Sequence, residues 1–415
     1  MKVGFVLDAL ITAGLYDEYR EQKKIQEILD CMTDEEWEEL WKNCMLHQIW
    51  GIVYTGLKKY RQTVIPESIK RRFEDYETKV AFQYYAMLSF TTLILSIFKE
   101  AGIRCYVLKG IVLNALYPRE DMRKFADADI YISDMKEYRR ASAILEDRGF
   151  KQEKGLAEFH SGYTKKVGDK VCLLELHWRP CDILLDAGMD RAAMKVYEEL
   201  QYAPDVYQIA GTEVPALPPA ENALQLLLHM FHHLLQGGFG LRVLCDWCVF
   251  WTRKSAETEE DRFIKYLNDT GLTGFAWAAT QICIKHLGLA SDKCQWMNRI
   301  NGAWYKGSSE LLYQDILTGG EFGRGEKARV TVLRNRSFRL ADYAKEVHRV
   351  MRYRFPKLRK AVIVWPVLWT ATIWIFLKNN RRLRRGKISD VIKSAEQRNY
   401  LLKKMKVYEK KEKKQ

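Results

Sequence analysis

Two β-prone runs in this chain carry acids inside what reads as strand interior, and they constrain the fold more than any other feature. Asp127 and Asp129 stand two apart in Asp127-Ala128-Asp129-Ile130-Tyr131-Ile132, and Glu175 lies within Cys172-Leu173-Leu174-Glu175-Leu176. Side chains two apart on a strand share a face, so the aspartates project together. Carboxylates at that spacing repel unless a cation sits between them, and hard oxygen ligands of this kind suit magnesium. An acid flanked by leucines is costly to bury without a partner. If the two strands pair, three carboxylates converge on one or two metal ions. The aspartate pair alone is a weak signal, since such a pair is more often a solvated loop; the surroundings give it weight.

Residues 1–102 read as helical. Thr33 followed by Asp34, Glu35 and Glu36 is a helix start, and 68–100 is apolar at helical spacing up to Ala101-Gly102. The character then changes. Cys105-Tyr106-Val107-Leu108 is a short strand, Ile111 to Leu116 a helix ended by Tyr117-Pro118, 128–132 a strand, and 136–148 a helix closed by Gly149. The runs 158–165 and 170–178 flank Gly168-Asp169, a hairpin signal. Helices return from about 218 to 315, interrupted at Gly237-Gly238. The expected fold class is α+β: a small mixed-sheet domain embedded between N-terminal and C-terminal helical regions. Its expected divisions are 1–102 helical, 103–185 catalytic core, 186–325 helical and lining the substrate or nucleotide, and 326–415 basic and Trp-rich.

Leu108-Lys109-Gly110 falls at the strand-to-helix junction upstream of the acids. Amides exposed at a helix start favour phosphate, and glycine lets a backbone approach closely. Lys109 adds positive charge there, and Arg123, four residues before Asp127, is expected to reach a triphosphate. The ordered series of strand, KG, helix, Arg, D-x-D strand and hairpin with an in-strand acid is far more specific than any member of it.

The segment YVLKGIVLNALYPREDMRKFADADIYI, followed by LLELHW, resembles the bacterial family of uncharacterised nucleotidyltransferases in the DNA polymerase β-like superfamily. A later helical pair is also similar, with LLLHMFHHLLQGGFGLRVLCDW matching at His229, His233, Arg242 and Asp246. The resemblance spans about 30–325 and is densest over 105–180. It implies that Asp127, Asp129 and Glu175 are catalytic and hold two Mg²⁺ ions, with Glu175 helping to activate an acceptor hydroxyl. It implies that Gly110 and its neighbours cradle the β- and γ-phosphates of a nucleoside triphosphate such as ATP. The implied reaction moves a nucleotidyl group to a hydroxyl acceptor (a sugar, a lipid-linked saccharide or a protein side chain) and releases pyrophosphate. Two departures stand out: Ile111 follows Gly110 where the superfamily has Ser or Gly, and Ala128 separates the aspartates where Ile is commoner.

Four further features carry a functional and a structural reading each. His177 shares a face with Glu175 and either touches substrate or is a structural histidine; His160, on the facing hairpin strand, reads as structural. His229 and His233 are i and i+4 on one helical face, expected to line the nucleotide or acceptor cleft, with no HExxH pattern to support zinc. Arg242 and Asp246 have ion-pair spacing. The loop GGEFGRGE reads as surface, with a lid as the alternative.

Nine scattered cysteines, an odd number in a chain of 415 residues, favour a reduced compartment. Cys245 and Cys248 read as core thiols within an apolar helix rather than as a metal site. The start of the chain lacks a signal-peptide pattern because Asp8 interrupts its apolar stretch, so a cytoplasmic location is expected. Much of the formal net charge of +14 gathers near the C-terminus, around the apolar stretch 361–377. That stretch falls short of the ~20 residues a spanning helix needs. A marginal span, a kinked re-entrant segment, an interfacial helix and a buried core helix all stay open; its tryptophans and flanking arginines favour the interface, so contact through 361–385 with the inner face of the plasma membrane is expected. A catalytically degenerate nucleotide-binding regulator is the second functional reading, suggested by Ile111. A nucleic-acid-binding protein using the basic tail is the third; nucleic acid is not expected as a partner, because no aromatic-plus-basic module accompanies the tail.

Overall fold

The computed structural model of the chain describes residues 2–17, 22–60, 63–153, 159–184 and 186–320, positions scattered between 344 and 358, and then 361–379 and 388–407. Four helices open it: α1 (Lys2–Leu15), α2 (Gln22–Asp30), α3 (Asp34–His47) and α4 (Trp50–Leu57). α3 starts as the sequence predicts. The Thr33 hydroxyl accepts from the Glu36 amide while the Glu36 carboxylate accepts from the Thr33 amide, a closed capping box. α1 and α4 cross so closely that a Cβ on Gly56 would lie 2.1 Å from the Leu10 carbonyl oxygen.

The 34-residue α5 (Glu67–Glu100) joins two cores. Ile69, Phe73 and Val80 pack into a helical core, and Phe90, Ile94 and Phe98 lie under the sheet. By length and composition α5 is the one described helix able to cross a membrane, but half of its apolar window is buried inside the protein.

The sheet follows. Its strands are β1 (Tyr106–Leu108), β2 (Asp127–Tyr131), β3 (Lys151–Gln152), β4 (His160–Val167), β5 (Lys170–His177), β6 (Asp205–Ile209) and β7 (Thr212–Ala216), in the order β3-β4-β5-β2-β1-β7-β6. Between them run α6 (Gly110–Asn114), α7 (Met135–Asp147) and α8 (Ala187–Glu198). β2 pairs antiparallel with β1 and parallel with β5. Alternation sorts the side chains. Ala128, Ile130, Cys172, Leu174 and Leu176 join the core beneath α5, which leaves Asp127, Asp129, Glu175 and His177 on the opposite face.

The sheet extends past the expected limit at residue 185. The β6–β7 hairpin adds two strands from the region read as wholly helical, with β7 parallel to β1 through Val107–Ala216. Its sequence hid it: the segments are five residues long, and Pro215 in β7 argues against a strand interior. The short contact with β1 tolerates that proline.

Helices α9 (Pro219–Gln236), α10 (Leu241–Lys254), α11 (Glu260–Thr270), α12 (Thr273–His286) and α13 (Ser308–Gly319) close over the polar face, and α14 (Trp365–Asn379) and α15 (Ile388–Lys404) follow. Cys245 and Cys248 are fully buried in α10. The loop GGEFGRGE lies outside the described residues from Glu321 onward, as do Arg381 to Arg385 and the tail beyond Val407.

One buried polar cluster ties α10 to the sheet. Arg123 grips Asp246 in a bidentate pair, Nε to Oδ1 at 2.5 Å and Nη2 to Oδ2 at 2.9 Å. Its remaining nitrogen donates to Asn114 Oδ1 at 3.0 Å, and Tyr117 donates to Asp246 Oδ1 at 2.7 Å. This corrects the expectation for Arg123. Its side chain is 4% exposed and paired to a carboxylate at the edge of the site, so the structure shows a buried ion pair where the sequence suggests a cation open to a triphosphate. Arg242 stands 3.5 Å from the same Asp246, the ion pair its spacing suggests.

Removing one member of a buried pair leaves an uncompensated charge. Asp246→Ala and Arg123→Ala are each expected to lower unfolding free energy by about 3–5 kcal/mol in denaturant titrations. An Arg123 that served only nucleotide would instead weaken triphosphate binding at unchanged stability.

Candidate active site

The polar face of β2 and β5 forms one wall of a cavity of about 1100 Å³. Ligand pockets usually span ~300–1,000 Å³, so there is room for a triphosphate and part of a second substrate. Parallel pairing sets Asp129 directly beside Glu175, with Asp127 beside Leu173 and Tyr131 beside His177. Antiparallel β4 brings His160 level with His177.

Lys109 enters from the end of β1. Its φ of 49° and the φ of 41° at Gly110 put two successive residues in the left-handed region. For lysine that backbone is unusual, and it is held by the turn from β1 into α6. At Gly110 the requirement is conformational, because an added Cβ would meet only ordinary contacts, the nearest at 3.7 Å.

The charges answer one another. Asp129 is buried, which alone would raise its pKa. Lys109 Nζ at 3.3 Å and His177 Nε2 at 3.1 Å outweigh burial and hold it well below the usual carboxylate range. Burial would likewise discharge His177, but its hydrogen bonds to Asp129 and Glu175 prevail and raise it. Lys109 is also raised: the nearby Asp129, Asp127 and Glu175 outweigh its desolvation. Asp127 fares differently. Burial, together with repulsion from Asp129 and Glu175, lifts it to about 6 despite Lys109. Desolvation and the neighbouring acids thus make Asp127 the carboxylate of this wall that ionises least readily.

That cluster of acids fits a divalent cation. Asp127, Asp129 and Glu175 offer hard oxygen donors on one wall, and Lys109 and His177 both approach Asp129 through its Oδ1. Among the described residues, the ligand atoms that lie within 4.8 Å of one another belong to His160, Glu175 and His177. His160 Nε2 is 3.6 Å from Glu175 Oε1, so a residue read as structural borders the chemistry. Only the fold could reveal this, because that placement depends on β4 register.

The opposite wall is α9 and α10. His229, His232 and His233 face the cavity with Arg242, and Asp182 lies 3.5 Å from His232. Lys109, Gly110, Arg123, Asp127, Asp129, Glu175, His177, His229 and His233 thus all border one space, Arg123 with its guanidinium paired to Asp246, and His232 and Asp182, which no sequence signal singles out, join them. His229 and His233 touch through Nε2 atoms 3.2 Å apart. Burial pushes His233 down to about 3, with His232, Lys109 and Arg242 adding to it, and drives His229 well down too. Both imidazoles are neutral at physiological pH.

A folded pKa below the unfolded value of ~6.5 means that the unfolded chain binds the proton first. The stability this group contributes is complete above that value and is lost as pH falls toward 3. His233→Gln should therefore recover about 2 kcal/mol relative to wild type between pH 7.5 and 5, read from unfolding curves at the two pH values.

Comparison with known proteins bears on the chemistry. The signature of a family described as uncharacterised nucleotidyltransferases matches residues 33–288, which contain every wall residue named above. Curated proteins give no match. Among solved structures, an antigenic nucleotidyltransferase-like protein from Paracoccidioides brasiliensis is 12% identical, covering 46% of this chain and 91% of its own, at a TM-score of 0.30. The family signature takes in more than half of the 415 residues, and the chain belongs to the uncharacterised nucleotidyltransferase family.

Proposed function

We propose that this protein is a magnesium-dependent enzyme that moves a nucleotidyl group from a nucleoside triphosphate to a hydroxyl acceptor. The observation that carries the reading is the β2–β5 register, which sets Asp129 beside Glu175 on the wall of a cavity that Lys109 also enters. In the reaction the acceptor oxygen bonds to the α-phosphorus, the bond from that phosphorus to the bridging oxygen breaks, and pyrophosphate leaves with that oxygen. Asp127, Asp129 and Glu175 would hold the metal, two ions in the full site, and bound Mg²⁺ would stabilise charge on the attacking and leaving oxygens.

The chain's own groups divide the remaining work. Lys109, fixed by its left-handed backbone and its bond to Asp129, offers charge to the phosphates. His177 orients Asp129 and Glu175 through one nitrogen, Nε2, at 3.1 and 3.4 Å. Glu175 is the group positioned to receive the acceptor proton. The neutral His229 and His233 offer a donor or an acceptor to nucleotide or acceptor without adding charge. Ile111 is 1% exposed and packed under the sheet, so the phosphate turn works through backbone and Lys109 without a hydroxyl. Most of the rate enhancement then comes from positioning and preorganised charge.

Incubation with magnesium and each labelled triphosphate, with and without cell lysate, tests this by pyrophosphate release and label transfer. Asp127→Ala and Glu175→Ala should each lower turnover by about 100-fold or more, and a chelator should abolish it. Lys109→Ala should raise KM for the triphosphate by about tenfold. Turnover undiminished in the acid variants would sink the enzyme reading, and triphosphate binding without pyrophosphate release would favour the regulator.

A further inference from the structure

The C-terminal region carries a feature that nucleotidyl transfer leaves unused. A 3₁₀ turn, Val362–Val364, leads into α14, and this unit has two unlike faces. Leu368 and Thr372 are buried against the protein, at 7% and 3% exposure. Ile363, Val367 and Trp374 project outward at 95%, 68% and 59%, with Val362 and Ile373 beside them. The outward set recurs at i, i+4 and i+11, one stripe of a helix, and no charged residue interrupts it between Ala361 and Leu377.

The charge around this stripe has a single sign. From Val347 to Ser389 the sequence has twelve Lys and Arg and no Asp or Glu. That is most of what separates the chain from neutrality. An apolar, tryptophan-bearing stripe framed by cations is complementary to an anionic lipid surface, where rings sit among headgroups and basic residues are drawn to the lipid charge. Fifteen helical residues span about 22 Å, short of a hydrocarbon core of ~30 Å, and the buried face is already committed to protein. The helix is therefore suited to lie in the interface and not to cross it.

The helix that carries the stripe also touches a segment that borders the active cavity. Trp369 Nε1 donates to His348 Nδ1 at 3.2 Å, and the Trp365 ring lies 4.5 Å from the His348 ring. Two residues on, Val350 borders the same cavity as Asp127 and Glu175. The geometry points to a docking surface: the Val362–Trp374 face seats on an anionic bilayer and holds the cavity beside the lipid headgroups. Resting on the transfer reading given above, the acceptor is then a hydroxyl carried on a lipid.

Flotation of the full-length protein with vesicles of phosphatidylcholine, alone or doped with phosphatidylglycerol, tests the surface. Binding is expected only to the anionic vesicles, weakening as salt rises. Ile363→Glu with Val367→Glu should reduce it about tenfold or more at unchanged melting temperature, since both side chains are exposed. Arg352→Glu with Arg354→Glu should reduce it as well. Asp127→Ala should bind vesicles as wild type does, which keeps failure of the docking surface separate from failure of the transfer chemistry. Label from the triphosphate should enter the organic extract of membranes with wild type and fall with the Ile363→Glu, Val367→Glu pair. No partition onto anionic vesicles, or partition untouched by that pair, overturns the inference. So does an oligomer in vesicle-free buffer that the pair dissolves, because the stripe would then be covered by a second copy. Label confined to water-soluble acceptors overturns the lipid acceptor alone.

Discussion

Parallel pairing of β2 with β5 is the constraint on which the rest depends, because it stands Asp129 beside Glu175 with Asp127 on the same face. Three carboxylates so placed would oppose folding if left alone. Lys109 lies 3.3 Å from Asp129, His177 lies 3.1 and 3.4 Å from Asp129 and Glu175, and burial together with the neighbouring acids lifts the Asp127 pKa to about 6. A fold that keeps such a cluster of acids in a roomy cavity has a surface prepared for external positive charge. Lys109 and His177 then serve as counter-ions that make the apoprotein tolerable and orient the acids.

The second layer of the design is the Asp246 cluster. Asn114, Tyr117 and Arg123 come from the segment between Lys109 and Asp127, and they converge on one carboxylate from α10. The same stretch that follows the Lys109–Gly110 turn thereby fastens the helical wall to the sheet. His229 and His233 on α9 and Arg242 on α10 face the acids because this junction is fixed.

Much of this was legible in the sequence. Period-two alternation put Asp127, Asp129 and Glu175 on one face, and the helix start at Thr33, the Gly168-Asp169 hairpin and the Gly237-Gly238 break fell where expected. What the sequence hid depends on contacts between distant segments. Arg123 looked like a phosphate ligand because its partner lies 123 residues away. His160 looked structural because β4 register, and nothing local, brings it to Glu175. The β6–β7 hairpin was hidden by its brevity and by Pro215. Three histidines crowd one stretch of α9, and only its packing shows that His232 faces the cavity with His229 and His233.

The central claim is that Asp127, Asp129 and Glu175 form one cation site completed by a triphosphate. Electron paramagnetic resonance of Mn²⁺ titrated into the protein with a non-hydrolysable triphosphate tests it most directly, since it reads binding without turnover. Wild type is expected to take up Mn²⁺ more tightly when the triphosphate is present, and Asp127→Asn and Glu175→Gln are each expected to abolish that gain. Uptake equal in wild type and both variants would contradict it.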